Sequence, residues 1–312
     1  MLYDLGMIIV LEGVDATGKS TLAQKAKQYY PAASLHHFGP PQSHPLKEYS
    51  FPAQHASIFD GVTVFDRYHW GELVYGPRYR GESLLGPEGF LWVELLLESR
   101  GAVTVVTTGD PDRILERVQK LEDDFVRMDR DHLKEMQDHF VDLIPHAATP
   151  IFRHDIDDGL IVSAPELVAT ARRRGRIRED IIAWYPEFIG SPYPDALLVG
   201  DRAEYIDGHV FPFTPYPNTP GRYLMSSLLH TPIARSVGIV NARSTISGAQ
   251  NSISNLIKLL HGPPVVALSE RASTILKTQK VEHRLIDSPE THARFVRRPE
   301  AYAEFLMRGV DQ

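Results

Sequence analysis

The chain has 312 residues, enough for two domains of ordinary size, and its 43% apolar and 23% charged residues are the balance of a globular protein. It has no cysteine, which excludes disulfides, thiolate zinc sites, iron–sulfur clusters and cysteine nucleophiles. The net charge of −7 argues against general nucleic-acid affinity but leaves local basic patches open.

The chain opens on the strand-like MIIVLEG with no basic segment and cleavage site before it, and no long apolar run follows. Neither secretion nor a membrane partner is expected, and a cytoplasmic location is. Short, nearly continuous apolar runs then alternate with helical stretches, as in a parallel sheet whose strands are buried on both faces. Strands are expected at residues 7–11, 35–38, 62–65, 103–107 and 150–153, and helices near 21–30, 45–58, 87–99, 111–120 and 130–144. Together they make a first α/β domain over residues 1–165. Residues 166–194 read as a helical connector whose run ARRRGRIRED is expected to be a solvated face, although its arginines can also contact nucleic acid. From residue 195 to 312 a second, smaller α/β domain follows. Its strands are expected at 196–199, 237–241 and 265–268, and its helices near 221–229, 249–261, 272–277 and 300–307.

Gly13-Val14-Asp15-Ala16-Thr17-Gly18-Lys19-Ser20, followed by Thr21, matches G-x-x-x-x-G-K-[ST] in full, between a strand and a helix. Glycines let successive backbone N–H groups turn inward around an anion, and the helix N-terminus adds its positive end. In such a loop Lys19 reaches the β- and γ-phosphates of a nucleoside triphosphate, and the Ser20 hydroxyl ligates Mg²⁺. Residues 62–68 form a second pattern, an apolar strand ending in Asp66-Arg67-Tyr68. At the carboxyl end of a parallel strand, Asp66 faces the phosphates and can orient Mg²⁺-bound water, and the Arg67 guanidinium can grip a phosphate bidentately. The same pair also fits an ordinary ion pair at a strand end, and Asp15 also fits a turn cap. Fourteen histidines without cysteine invite a metal reading, but His36, His37 and His44 lack ligand spacing and no H-E-x-x-H occurs.

Leu11 through Thr21 closely resembles the phosphate loop of the thymidylate kinase family, [FL]-E-G-x-D-x-x-G-K-[ST]-T, and Asp66-Arg67-Tyr68 resembles that family's D-R-Y/H motif. The resemblance covers about residues 1–160. It implies a P-loop kinase domain, with a parallel sheet flanked by helices, that uses ATP and Mg²⁺. It also implies that Asp15 helps hold the sugar of the acceptor nucleotide, that Arg67 binds the acceptor phosphate, and that the protein is a homodimer. The chain departs from the family after Tyr68, where Trp70, Glu72 and Tyr75 become candidates for contacting a base or sugar, although Trp70 and Tyr75 equally fit ordinary packing residues. It departs again where His36-His37-Phe38-Gly39-Pro40-Pro41 replaces R-E-P-G. Ala16 and Thr17 stand where some members carry a catalytic arginine, so that arginine is expected in a lid over residues 113–130, with Arg117 the best fit and Lys120 behind it.

In the second domain, Val199-Gly200-Asp201, Pro212-Phe213, Gly221 with Leu224, Val240-Asn241-Ala242 and Val265-Val266-Ala267-Leu268 form a spaced series. The series resembles the uracil-DNA glycosylase superfamily core over about residues 195–295. Ser269 stands where that family has glycine, and Ile286-Asp287-Ser288-Pro289 lacks its catalytic histidine, so the resemblance implies recognition of a nucleobase or nucleic acid with the glycosylase chemistry lost or changed, while a generic α/β domain used for oligomerisation fits equally. A deoxynucleoside monophosphate kinase is the reading of the whole chain. Two alternatives remain: a kinase acting on a hydroxymethylated base in DNA, and a nucleotide-gated binding module without turnover.

Overall fold

A computed structural model describes the chain apart from residues 1–5, 43, 59–60, 121–128, 158, 160, 202–210, 245–247, 296–297 and 311–312. The described residues divide into two compact units, residues 1–86 with 100–176, and residues 87–99 with 177–312.

The first unit is built on a five-stranded parallel sheet in the order β2-β3-β1-β4-β5. Its strands are β1 (Met7–Gly13), β2 (Ser34–His37), β3 (Val62–Asp66), β4 (Val103–Thr108) and β5 (Ile151–Asp155). The central strands β1, β3 and β4 are buried along their whole length, which is why their sequences run apolar without alternation. Helices α1 (Lys19–Tyr29), α2 (Pro45–Ile58), α3 (Trp70–Arg80), α5 (Pro111–Lys120) and α6 (Arg130–Leu143) flank the sheet. One core layer joins Ile9, Leu11, Val64 and Val105 to Leu22 and Ala26 of α1 and to Leu167 and Ala171. This is the expected α/β architecture, a parallel sheet flanked by helices, and its strand register sets the site. Leu11 pairs with Asp66, Gly13 with Thr107, and His37 with Asp66, so the carboxyl ends of four strands meet at one edge.

The second unit holds another five-stranded sheet, in the order β10-β9-β7-β8-β6. Strands β7 (Ala196–Gly200), β8 (Val237–Asn241), β9 (Val265–Ala267) and β10 (Arg284–Leu285) run parallel, and the two-residue β6 (Ile189–Gly190) joins antiparallel. Its helices include α8 (Pro220–Leu228), α9 (Ile253–Leu259), α10 (Glu270–Thr278), α11 (Pro289–Phe295) and α12 (Pro299–Val310).

The units divide differently from the boundaries read in the sequence. Helix α4 (Gly86–Ser99) groups with the second unit although it lies between elements of the first. Its residues 89–99 are all buried, which accounts for its mostly apolar sequence, Glu94, Glu98 and Ser99 being the buried polar exceptions. Helix α7 (Ala164–Trp184) is one continuous element that the division splits after Arg176. The solvated reading of the basic run therefore needs correcting at one position. Arg178 is buried, donates through Nη2 to Glu98 Oε1 at 2.6 Å, and donates through Nε to the Glu98 carbonyl at 2.5 Å. No helix among the described residues is long and apolar enough to cross a membrane.

Candidate functional site

The phosphate loop leaves β1 at Gly13, whose φ of 135° and surroundings admit no side chain: a Cβ there would lie 2.4 Å from the Thr107 carbonyl oxygen. Thr17 turns back into the loop, its hydroxyl donating to the Val14 carbonyl at 2.7 Å and meeting the Thr107 hydroxyl at 2.6 Å. Ala16 holds a left-handed φ of 60°, a conformation costly for a residue with a Cβ and characteristic of constrained sites. Gly18 opens α1 with no side-chain cap, and the first turn carries no acidic residue. By contrast α6, α8 and α10 are capped by Asp129, Thr219 and Ser269. An uncapped, Gly-led helix start presents free N–H groups and the positive end of the helix dipole, the setting for a phosphate.

Lys19 lies in this loop almost fully buried, its ammonium donating to the carbonyls of Gly13 at 2.9 Å and Val14 at 2.6 Å. The nearest carboxylate oxygen of Asp15 is 3.9 Å away. Burial pushes the Lys19 pKa down to about 8, and Arg67 acts in the same direction against the carboxylates of Asp15, Asp66 and Glu12. A buried cation held mainly by neutral carbonyls is incompletely compensated, and a phosphate would complete it.

Ser20, at the exposed start of α1, donates to Asp66 Oδ2 at 2.8 Å, and His37 Nδ1 lies 3.3 Å from the same oxygen. The other oxygen, Asp66 Oδ1, is buried without a hydrogen-bond partner. Among the described residues no group of three His, Cys, Asp or Glu side chains is placed to hold a metal. A hydroxyl beside a carboxylate with a spare oxygen fits Mg²⁺ nonetheless, because that ion keeps several waters and takes phosphate oxygens as ligands. His36 packs edge-on against Phe65, 6.0 Å between ring centres.

Arg67 follows Asp66 with a left-handed φ of 59°, and its backbone N–H donates to the Leu11 carbonyl at 3.0 Å. That turn swings the side chain onto the phosphate loop, where Nη2 is hydrogen-bonded and ion-paired to Asp15 Oδ1. Arg67 Nε has no hydrogen-bond partner. The turn is held from below by Glu12, a buried carboxylate that accepts from the backbone N–H groups of Tyr68 at 3.1 Å and Trp70 at 2.9 Å. Sequence reasoning gave Glu12 and Thr107 no role. Glu12 had only its place before Gly13 as a signal, and Thr107 had none, since both act through contacts distant in sequence.

The structure treats the three residues after Tyr68 differently. Tyr75 stays at the site. Its hydroxyl is buried without a partner, and burial, then the Asp15 carboxylate, pushes the phenol well above the ordinary tyrosine value. Trp70 is a correction: its side chain is fully buried, so it packs in the interior and offers no face on which a base could stack. Glu72 is a second correction, because it is buried and occupied within the fold. It accepts from Arg80 Nη2 at 2.5 Å and from the Leu84 backbone N–H at 2.8 Å, tying the end of α3 to the turn after it.

Arg117 is engaged by a partner of its own, donating to Asp157 Oδ1 at 3.0 Å alongside Arg113 at 3.1 Å. Asp157 also accepts from the Asp110 backbone N–H at 2.7 Å, and the adjacent Ile156 packs against Gly18 at 3.4 Å from an ideal Cβ. Arg117 thus ties the last turn of α5 to Asp157 in the turn after β5, with its Nη1 buried and without a hydrogen-bond partner. Lys120 ends α5 with an exposed side chain, and the part of the expected lid at residues 121–128 lies outside the described residues. Of the remaining loop residues, Val14 is fully buried and Thr21 is exposed on the first turn of α1.

No protein-family model and no curated protein matches the sequence. Among solved structures, the chain is similar to the YorR protein of Bacillus subtilis in complex with phosphorylated GDP. The identity is 19% and the TM-score 0.41, over 56% of this chain and 94% of that one. It is also similar to deoxyadenosine kinase from M. mycoides with dCMP and dCDP bound, at 13% identity and a TM-score of 0.33 over 57% and 100% of the two chains. A third is thymidylate kinase from Candida albicans, at 17% identity and a TM-score of 0.32 over 57% and 93%. Nothing in these comparisons supports the likeness of the second unit to uracil-DNA glycosylases.

Proposed function

We propose that the first unit is an ATP- and Mg²⁺-dependent phosphotransferase whose acceptor is a nucleoside monophosphate, most simply a deoxynucleotide of the thymidylate kind. The observation that carries the reading is the pairing of Arg67, at the end of β3, with Asp15 inside the phosphate loop. A carboxylate in such a loop would repel a triphosphate unless a cation balanced it, and Arg67 does so from the side where an acceptor would enter. Arg67 Nε and the Tyr75 hydroxyl, both buried without hydrogen-bond partners, then offer donors for an acceptor phosphate and its sugar or base.

On this reading the loop N–H groups and Lys19 hold the donor phosphates, while Ser20 and Asp66 would hold the magnesium ion. A magnesium ion bound there supplies charge neutralisation across the transferring phosphoryl group. Phosphoryl transfer asks little covalent chemistry of the protein, so positioning by Lys19, Arg67 and Asp15 is the main contribution. Arg117 is the described arginine that would supply further positive charge on leaving Asp157.

The test is ADP release from ATP and Mg²⁺ across the eight common ribo- and deoxynucleoside monophosphates, with hydroxymethylated duplex DNA as a separate acceptor. Turnover with a mononucleotide is expected. Transfer of labelled phosphate to the duplex alone would move the acceptor to DNA, and no transfer to any of them would remove the kinase reading.

A further inference from the structure

The phosphotransferase reading leaves one polar contact at the site without a part to play, that between His37 and Asp66. An ionised carboxylate only accepts hydrogen bonds, so His37 Nδ1 is the donor in its 3.3 Å contact with Asp66 Oδ2. The Ser20 hydroxyl donates to the same oxygen at 2.8 Å. Oδ2 is thus engaged from both β2 and α1, while Oδ1 is buried without a hydrogen-bond partner. The last torsion of an aspartate is broad, so two donors on one oxygen decide which way the other oxygen faces.

Strand register brings His37 to that contact. In the parallel pair of β2 and β3, His36 lies opposite Phe65 and His37 opposite Asp66, so the two histidines point to opposite faces of the sheet. On one face His36 and Phe38 both pack edge-on against the Phe65 ring, at 6.0 and 5.4 Å between ring centres. The Phe38 backbone N–H also donates to the Asp66 carbonyl at 3.1 Å. These contacts hold the end of β2 from both sides of His37, whose ring lies on the other face, 56% exposed beside an Asp66 side chain that is 10% exposed. A half-exposed contact of this length adds little to the stability of the fold. Its consequence falls on the carboxylate.

We propose that His37 is a positioning residue for the magnesium site: its Nδ1–H holds the Asp66 carboxylate by Oδ2 and so leaves Oδ1 for the metal or its water. Outer-shell donors of this kind orient metal-binding groups and are worth about ten- to a hundredfold in metal affinity. The role needs only a proton on Nδ1, which the ring carries in its charged form and in one neutral tautomer. It rests on the reading in which Ser20 and Asp66 hold Mg²⁺.

Calorimetric titration of the full chain with β,γ-imido-ATP, in excess Mg²⁺ and again in EDTA, tests it without turnover. The ratio of the two dissociation constants measures what the metal adds. His37→Ala should lower that ratio by about tenfold, the lower end for an outer-shell partner, with the affinity in EDTA unchanged. His37→Asn, whose amide N–H can stand where Nδ1–H does, should keep most of the ratio. His37→Gln, which carries its amide to the Nε2 position, should lose it as Ala does. His36→Ala, on the other face, should keep it in full, and His37→Ala should add nothing in an Asp66→Ala background. An unchanged ratio in His37→Ala, equal losses in Mg²⁺ and EDTA, rescue by Gln in place of Asn, or an additive loss in the double variant would each overturn the proposal. Asn and Gln differ by a single methylene at an exposed position, so a loss confined to Gln is not a folding defect. No difference between Mg²⁺ and EDTA in the wild-type chain removes the metal site and the role of His37 with it. A clear difference in a chain that phosphorylates no acceptor removes the phosphotransferase reading and leaves that role standing.

Discussion

Arg67 and Asp15 are ion-paired between the end of β3 and the phosphate loop, although they are far apart in sequence and each alone would burden the site. Asp15 alone would repel a triphosphate, and Arg67 alone would depress the charge of Lys19 further than it does. Paired, the two charges offset each other, and Arg67 Nε is left buried without a hydrogen-bond partner. Arg67→Ala should therefore lower kcat/KM for the nucleoside monophosphate by about ten- to a hundredfold, the worth of a charged hydrogen bond, with a smaller change in KM for ATP. Initial rates with each substrate varied in turn separate the two effects. An equal loss for both substrates would mean that Arg67 serves the loop and not the acceptor.

Tyr75 gives a prediction of opposite signs. Its hydroxyl is buried and unpartnered, so the protein bears the cost of desolvating it. Tyr75→Phe should leave the melting temperature unchanged or raised, while KM for the acceptor rises several-fold. A melting scan and a KM determination on the same preparation check both. A destabilised variant would show that the hydroxyl has a partner in solution.

The Arg178–Glu98 pair is a test of structure without function. Both side chains are nearly fully buried, and removing one leaves the other charged and unpaired. Arg178→Ala should cost about 3–5 kcal/mol in the stability of the second unit. It should leave the nucleotide kinetics of the first unit unchanged at temperatures where the second remains folded. Denaturant unfolding followed by probes in each unit measures it, since two units need not unfold as one transition.

The parts of the molecule legible in the sequence are those whose physics is local. The phosphate loop is read from contiguous residues because glycine conformations, a helix start and Lys19 and Ser20 act within one turn. The buried strands were found within a residue or two of their ends because parallel strands are apolar throughout. Helix α3 was not read, since Gly71, Gly76 and Pro77 lower its propensity, and it is held instead by Glu12 at its start and the Glu72–Arg80 pair at its end. The two-residue strands β6 and β10 exist only through pairing with β8 and β9. Trp70, Glu72 and Arg178, all buried, are left undecided by the sequence for one reason: an aromatic or a charge shows nothing in sequence of whether a distant partner buries it.

The pH dependence of nucleotide binding follows from Lys19. Its pKa in the folded chain is about 8, below its ordinary value of 10.5, so between these limits the unfolded chain holds the proton more firmly than the folded one. Stability should accordingly rise with pH through that window, the sign expected when the unfolded state binds more protons. Binding runs the other way. A triphosphate beside the ammonium favours its charged form, so above pH 8 the nucleotide must bring a proton with it, and affinity should fall by up to about tenfold per pH unit. Titrations of ATP at pH 9 in two buffers of different ionisation enthalpy should show uptake approaching one proton, against little at pH 7. Lys19→Met should abolish both the uptake and the binding while the unliganded protein melts no lower than wild type, because a buried, poorly compensated charge has been removed. Loss of binding together with a clear loss of stability would mean that the loop carbonyls of Gly13 and Val14 already compensate the ammonium, and that the phosphate loop is not waiting for an anion.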